Sequence, residues 1–548
     1  MTDDQYRRDY AHHLIEQVNK GQMTRRQLLV RASIFGFSAT AAGSLLAACG
    51  GGSTSSSPAA SGSAQPAPKA GGTLRIGCRE SIAAPDPITM YDQASIVLVQ
   101  QVCEYLIWVE NDMTLRPVLA ESWSGDETAK VWTFKLRQGV TFNDGSPLGA
   151  DDVVATFDRL VDPDSGSAAL SALGGILSPG GTKKVDDATV VFNLDKPFAE
   201  FPATVSAANY NAVILPRNYG GNFLKSPVGT GPFLLNKYTK KQNATFTKNP
   251  NYWQKGLPYL DGLIFKFPAD AAAASLAMQA GDIDMQAETP FQGSQALFAD
   301  PNLQVLEVPS TGLRQVFMNV DKEPFSDKRV RQAVAYCIDR PAIIQALFDG
   351  RSTLGNDTLF SSLYPNSPKL PQRAQDYEKA KQLLTDAGHP DGVTITVTPE
   401  NDLEMPQYAQ LIKAQCEPAG IKVNIEMMSY EAYFSGDPAP WLSVPMGITA
   451  WSARPTPIQF VNVMMLSDSV WNAPHFANPE YDKLAAQYAA TVDEASRMDI
   501  ATQMATMEQD ETLQVLSFFV TQLSARVKNL YDVAGINIFL DLSKAYLA

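Results

Sequence analysis

The nearest thing to an acid/base pair in this sequence is Gly281-Asp282-Ile283-Asp284. On a strand the two carboxylates would share a face, about 7 Å apart, but solvated surface carboxylates are the far commoner use of such a pair. His475, in Asn472-Ala473-Pro474-His475-Phe476, has no Cys and no second His beside it, so a loop hydrogen bond is expected of it and not general-base work. Gly229-Thr230-Gly231-Pro232 opens like a phosphate loop, yet Pro232 removes an N–H that a phosphate needs and no Lys-Ser/Thr follows. A tight turn is the expected use. The patterns GxxxxGK[ST], GxSxG and HExxH do not occur. The only histidines are His12, His13, His389 and His475, which excludes a multi-histidine metal centre. No catalytic residue, metal or cofactor is expected; a hydrolase working through Asp282 or His475 is an alternative that would need demonstrated turnover.

The elements that must carry any site are spread over 548 residues, too many for one core, so at least two lobes are expected. Hydrophobic residues make up 45% and charged residues 19%, an ordinary globular balance. The net charge of −14 leaves no excess of cations for a nucleic-acid backbone, so no nucleic-acid partner is expected. Residues 1–48 read as an export signal. Thr24-Arg25-Arg26-Gln27-Leu28-Leu29 is a twin-arginine pattern, and Ala32 to Ala48 is uncharged. Gly36, Gly43, Ser33, Ser38 and Ser44 make that run too short and too polar for a membrane span. It ends in Leu46-Ala47-Ala48-Cys49-Gly50, similar to a bacterial lipoprotein box, which implies cleavage before Cys49 and a lipid on its thiol. Six basic and four acidic residues leave with the signal, moving the net charge to −16. Residues 49–72 then form the lipidated cysteine and a Gly/Ser/Ala/Pro tether that reaches on the order of 25 Å. The expected place is extracytoplasmic, anchored to the cell membrane by lipid and not by charge. Of the remaining cysteines, Cys78, Cys103 and Cys337 fall on apolar faces, and these three and Cys416 are expected as buried thiols, with a disulfide as the alternative.

From Thr73 onward strand-like and helix-like segments alternate. Thr73–Cys78, Val131–Arg137, Thr189–Leu194, Val393–Thr398 and Ile421–Met427 read as strands. Gln93–Val109, Asp151–Leu160, Asp327–Arg340, Tyr377–Ala387 and Met405–Glu417 read as helices, and most of the C-terminal third is helical, with Ile500, Met504 and Met507 on one face. The mixture predicts an α/β fold with several sheets and no internal repeat.

Several of these segments resemble the solute-binding proteins of peptide/nickel ABC transporters, family 5. The resemblance rests on Leu119-Ala120-Glu121-Ser122-Trp123, Trp132 to Gly145, Ala150-Asp151-Asp152-Val153-Val154, Pro227 to Phe233, Asn249-Pro250-Asn251-Tyr252-Trp253, Phe325 to Val334 and Ala380 to Gly388. It implies a type II periplasmic-binding fold: two main lobes with a hinge, plus an extra domain on lobe one. Lobe one would take 73–105, 228–306 and 525–548, the extra domain 106–227, and lobe two 307–524. It further implies a monomer that captures a small molecule or peptide and delivers it to a membrane permease and its ATPase complex.

Peptide binders of that family often carry Trp-x-x-Asp in lobe two, the carboxylate holding the ligand's ammonium. The matching segment is Trp451-Ser452-Ala453-Arg454, with Arg454 where the aspartate would be. A guanidinium suits a carboxylate or phosphate through paired hydrogen bonds; its other use is to pair with a protein carboxylate. Trp451 offers a flat face. By position in the resemblance Tyr91, Arg314 (in the loop Thr311-Gly312-Leu313-Arg314) and Trp471 are further ligand-binding candidates. The expected ligand is an oligopeptide or peptide-like solute bearing a carboxylate. Alternatives are an opine, a modified sugar or a metal chelate, or a sensor subunit presenting ligand to a receptor.

Overall fold

The computed structural model describes residues 65–548 except 366, 437 and 536–538; the expected signal, Cys49 and the tether as far as residue 64 lie outside the described residues. Two long strands, Leu303–Met318 and Phe518–Val527, run through the middle of a twelve-stranded sheet. On one side of this pair lie Met285–Gln286, Thr73–Gly77, Gly262–Lys266, Asn243–Lys248 and Phe233–Thr239, and on the other Met446–Trp451, Val393–Pro399 and Ile421–Ile425. Residues 303–309 pair antiparallel with 521–527. The register then shifts between Pro309 and Leu313, and 313–318 pair antiparallel with 446–451. Pro309 and Gly312 account for the shift, because proline gives no ladder N–H and glycine admits a close backbone. The carbonyl oxygen of Trp451 would lie 3.3 Å from a Cβ at position 312. The sheet is mixed: Thr73–Gly77 is parallel to both its neighbours, as Val393–Pro399 is to Ile421–Ile425.

A separate antiparallel sheet joins Ala120–Gly125, Val131–Leu136, Thr189–Asn193 and Thr182–Asp186 in that order. The period-two pattern works as expected: Trp132, Phe134 and Leu136 are buried while Lys135 is exposed. The helix Ala150–Val161 lays Val153, Phe157 and Leu160 on that face, with Phe157 edge-on to Phe192 at 4.9 Å.

Some expected elements divide. Gln93–Val109 is a helix only to Val102, and Ile107–Val109 is a short strand. That helix is not amphipathic either; every residue from Ala94 to Val102 is buried. The single helix expected over Asp327–Arg340 is two, Lys328–Tyr336 and Arg340–Phe348, the second capped by Asp339. Tyr377–Asp386 ends as expected, with Gly388 at φ +90°. Asp282 and Asp284 precede the strand Met285–Gln286 and are not on one. Asp284 is buried and gripped by Arg75, with Nε at 3.0 Å and Nη2 at 2.5 Å, so it is a structural ion pair and not a solvated carboxylate. All four cysteines of the described residues are buried and free, as expected.

The motif residues of the phosphate-loop lookalike converge on one buried carboxylate. Gly231 N–H donates to the Val102 carbonyl at 2.7 Å. A Cβ at Gly229 would stand 2.1 Å from that same oxygen. The glycines therefore serve close backbone approach and not the tight turn expected of them. Thr230 Oγ1 donates to Glu104 Oε2 at 2.8 Å, Trp253 Nε1 to Oε2 at 2.7 Å and Tyr252 Oη to Oε1 at 2.7 Å. Burial pushes the Glu104 carboxyl up to about 7 against the pull of those three donors. A carboxyl whose folded pKa exceeds its unfolded one binds a proton in the folded state that the unfolded chain has released. Its contribution therefore falls as pH rises from about 4.5 to about 7, by about 3 kcal/mol. Glu104→Gln is expected to flatten that part of the stability curve. The readout is the difference between wild-type and variant melting temperatures from pH 4.5 to 7.5; a constant difference would show that Glu104 does not titrate there.

Candidate ligand-binding site

Arg454 follows the strand Met446–Trp451 and is held by its backbone. Its N–H donates to Thr311 Oγ1 at 3.0 Å, and its carbonyl accepts from Thr311 Oγ1 at 2.7 Å and Tyr364 Oη at 3.0 Å. Thr311 sits in the register shift of Leu303–Met318, so the irregular strand is what fixes this residue. The side chain is left over. Its guanidinium stands 5.6 Å from the Phe460 ring centre, its Nε has no hydrogen-bond partner, and no carboxylate among the described residues pairs with it. Burial pulls its pKa below the ordinary arginine range, the mark of a charge kept from water without a counter-ion.

Arg454 opens into a cavity of about 310 Å³ whose walls include Tyr91, Asn209, Tyr210, Gln459 and Trp471. Among the described residues it is the one charged residue lining that cavity. Three expected site residues, Tyr91, Arg454 and Trp471, are thus brought together from positions far apart in the chain. Tyr91 is 60% exposed, so its ring is available to a visitor. Trp471 packs against Trp451 with ring centres 5.7 Å apart.

Trp451 and Arg314 line a neighbouring cavity of about 330 Å³, which shares Ser452 and Ala453 with the first. Trp451 is 9% exposed and its indole N–H is taken by Gln315 Oε1 and Thr449 Oγ1, both at 3.1 Å. Arg314 lies within the strand Leu303–Met318 and not in a loop before it, and its Nε is paired to Glu404. The expectation of a free loop arginine is corrected: the guanidinium is already neutralised. Glu288 also lines this cavity. Nearby Glu400 is pushed up to about 7, chiefly by burial and then by Asp402.

His475 is a loop hydrogen-bonder, with Nδ1 2.8 Å from Asp321 Oδ2 and Nε2 2.7 Å from the Leu442 carbonyl. A ring held at both nitrogens is not poised as a base. Among the described residues no group of three or more His, Cys, Asp or Glu could hold a metal ion, and no helix is long and apolar enough to cross a membrane.

The sequence profile of the bacterial extracellular solute-binding proteins, family 5, matches residues 114–473. The chain belongs to that family. Among its relatives is the glutathione-binding protein GsiB of Escherichia coli O1:K1, 29% identical over 425 residues, covering 75% of this chain and 82% of GsiB. Among solved structures, the periplasmic binding protein DppA of Helicobacter pylori, in complex with the peptide STSA, superposes with a TM-score of 0.68 at 23% identity, over 87% of this chain and 98% of DppA. AgaA of A. tumefacien R10, in complex with agropinic acid, does so with 0.68 at 24%, over 87% of this chain and 99% of AgaA. The fold is the type II periplasmic-binding fold. Family 5 proteins are solute-binding components of ABC transporters, and this chain is one of them.

One further stretch of the cavity lining was not legible in the sequence. Asn209, Tyr210 and Asn211 sit in Ser206-Ala207-Ala208-Asn209-Tyr210-Asn211, which carries no periodicity and no motif. Asn211 anchors the segment, donating through Nδ2 to the carbonyls of Pro87 (2.9 Å), Ile88 (3.1 Å) and Met90 (3.0 Å). One buried amide thereby ties this wall to the stretch that presents Tyr91.

Proposed function

We propose that this chain captures a carboxylate-bearing, peptide-like solute in the cavity at Arg454 and delivers it to a membrane permease worked by an ATPase. The observation that carries the reading is Arg454 itself: among the described residues it is the only charge on the cavity wall and has no ion-pair partner, and it is fixed in place by its backbone. A guanidinium so placed offers paired hydrogen bonds to a planar anion. Tyr91 and Trp471 flank it as faces for the rest of the ligand, while Trp451 and the neutralised Arg314 shape the adjoining space. Binding and release without bond breaking is the work proposed for the site. The lobes are read as 73–105 with 228–306 and 525–548, and 307–524, with 106–227 as the extra domain on the first. The long strands Leu303–Met318 and Phe518–Val527 serve as the crossings about which the lobes close on ligand. The leader and Cys49 supply export and a lipid anchor, and the protein works as a monomer.

The test is a thermal-shift panel on the chain from Ala67 onward, unfolded and refolded to strip carried ligand. The panel holds glutathione, the tetrapeptide STSA, the same peptide amidated at its C-terminus, agropinic acid, a neutral oligosaccharide and chelated nickel. Ligand at 100 times its Kd adds about 2.7 kcal/mol, which a melt resolves. A shift with an acid that its amide fails to give is the expected result. A shift with the oligosaccharide or the chelate alone would overturn the carboxylate reading.

A further inference from the structure

The two adjoining cavities carry opposite charge. Among the described residues Arg454 alone supplies charge to the first, while Glu288, Glu404 and Arg314 line the second. Glu404 and Arg314 neutralise each other, which leaves the second cavity with the charge of Glu288. Glu288 is exposed, accepts one long hydrogen bond from Gln93 Nε2 at 3.4 Å, and has no ion-pair partner among the described residues. Its side chain is open to the cavity yet lies within a recess, where burial holds its carboxyl above the ordinary glutamate range against the pull of Arg79 and Arg314. Ser452 and Ala453 line both cavities, so the two lie side by side. A peptide advances about 3.3 Å per extended residue, so one of a few residues has the length to reach across them. We propose that Glu288 binds a cationic group, an ammonium or guanidinium, on the same solute whose carboxylate binds Arg454, so that the protein selects dipolar ions by their two charges. This rests on the reading of Arg454 as the anion site.

Glu288 is positioned in the same manner as Arg454, by its backbone. On one side the Ala287 N–H donates to the Gly77 carbonyl at 2.9 Å. On the other the Thr289 N–H donates to the Leu523 carbonyl at 2.8 Å, and Thr289 Oγ1 accepts the Ala525 N–H at 2.9 Å. A neutral group at Glu288 offers the carboxylate little that water does not. A cation offers a charge-assisted bond, which strengthens as water leaves the closing cleft. A second carboxylate on the solute would meet Glu288 as a like charge, so the same residue that favours a dipolar ion rejects a dianion.

The probe is the short-peptide fraction of a peptic casein digest, used untreated, with its amines acetylated, and with its carboxyls methyl-esterified. Each is added to the purified full chain, stripped of ligand by unfolding and refolding, and the melting temperature is read. The untreated fraction is expected to raise it, and the acetylated and esterified fractions to raise it much less. Glu288→Gln is expected to melt like wild type without ligand, because the side chain gives up no ion pair. With peptide it is expected to show one small shift, the same for the untreated and the acetylated fraction. For the best-bound peptide, recovered and resynthesised, Glu288→Gln is expected to weaken binding between about tenfold and a hundredfold. A wild-type protein that tolerates acetylation would overturn the role given to Glu288. So would an acetylation penalty of equal size in Glu288→Gln, which would mark the bulk of the acetyl group and not the lost charge. The two readings fail separately. An esterified fraction that binds fully, with acetylation still felt through Glu288, would overturn the anion site at Arg454 alone. No shift with the untreated fraction would overturn both.

Discussion

Arg454→Ala abolishes the ligand-induced thermal shift and leaves the melting temperature of the stripped protein nearly unchanged. The binding half follows from charge-assisted hydrogen bonds, worth about 1.5–3 kcal/mol each. A carboxylate held by two of them loses about 3 kcal/mol or more, a factor on the order of 100 in Kd. At a concentration 100 times the wild-type Kd, the stabilisation then drops from about 2.7 to about 0.4 kcal/mol. The stability half follows from what the side chain lacks. Arg454 makes no ion pair, its Nε is unsatisfied and burial lowers its pKa, so removing it takes away an uncompensated charge and leaves no orphaned partner. Its backbone bonds to Thr311 and Tyr364 survive the substitution. Arg454→Lys distinguishes a guanidinium fork from mere positive charge, because lysine keeps the charge and loses the paired donors. An Arg454→Ala protein that binds as before would make the residue scaffolding and remove the anionic-ligand reading. A protein that binds nothing but also melts far lower would have lost its fold and not its site.

What could be read in the sequence divides along a physical line. Short-range patterns survived: Trp132, Phe134 and Leu136 alternate inward on their strand, and Val153, Phe157 and Leu160 face them from a helix, because each pattern is set by one element's geometry. Patterns set by several elements at once did not. Gln93–Val102 looks amphipathic, but neighbours bury it on every side, so no polar face is needed. Pro309 and Gly312 look like the end of a strand, yet two partner strands on either side of the register shift carry the chain through it, and Arg314 lands inside a sheet beside Glu404. The phosphate-loop lookalike is similar. Its glycines, Thr230, Tyr252 and Trp253 meet only because the chain from Val102 to Glu104 passes between them. At the site, Arg454 stood out because the family pattern at that position makes its charge conspicuous. Asn209 and Tyr210 could not stand out, since a loop residue outside any motif has the same sequence appearance whether or not it lines a cavity.

The largest effect on stability is expected outside the cavity lining, at Asp357. This carboxylate is fully buried and Oδ2 accepts from two arginines that are themselves buried, Arg340 Nη2 at 2.5 Å and Arg373 Nη1 at 2.8 Å; Oδ1 accepts the Leu516 N–H at 3.0 Å. Arg340 also reaches the Arg373 carbonyl at 3.0 Å, and Arg373 lies over the Tyr336 ring at 5.2 Å. One anion thus joins the helix Arg340–Phe348, the segment at 373 and the chain entering the long strand Phe518–Val527. Asp357→Ala would leave two buried guanidinium groups facing each other with nothing between them, at a cost of about 3–5 kcal/mol. A backbone effect is superimposed, because Asp357 has φ +56°, a left-handed conformation that alanine adopts poorly and asparagine well. Asp357→Asn separates the two: it keeps the shape and the backbone preference and removes only the charge. If the anion is what matters, both variants lower the urea midpoint strongly at unchanged slope. If the backbone conformation is what matters, the asparagine variant stays near wild type. High salt should rescue neither, since charges this deeply buried are screened little by salt.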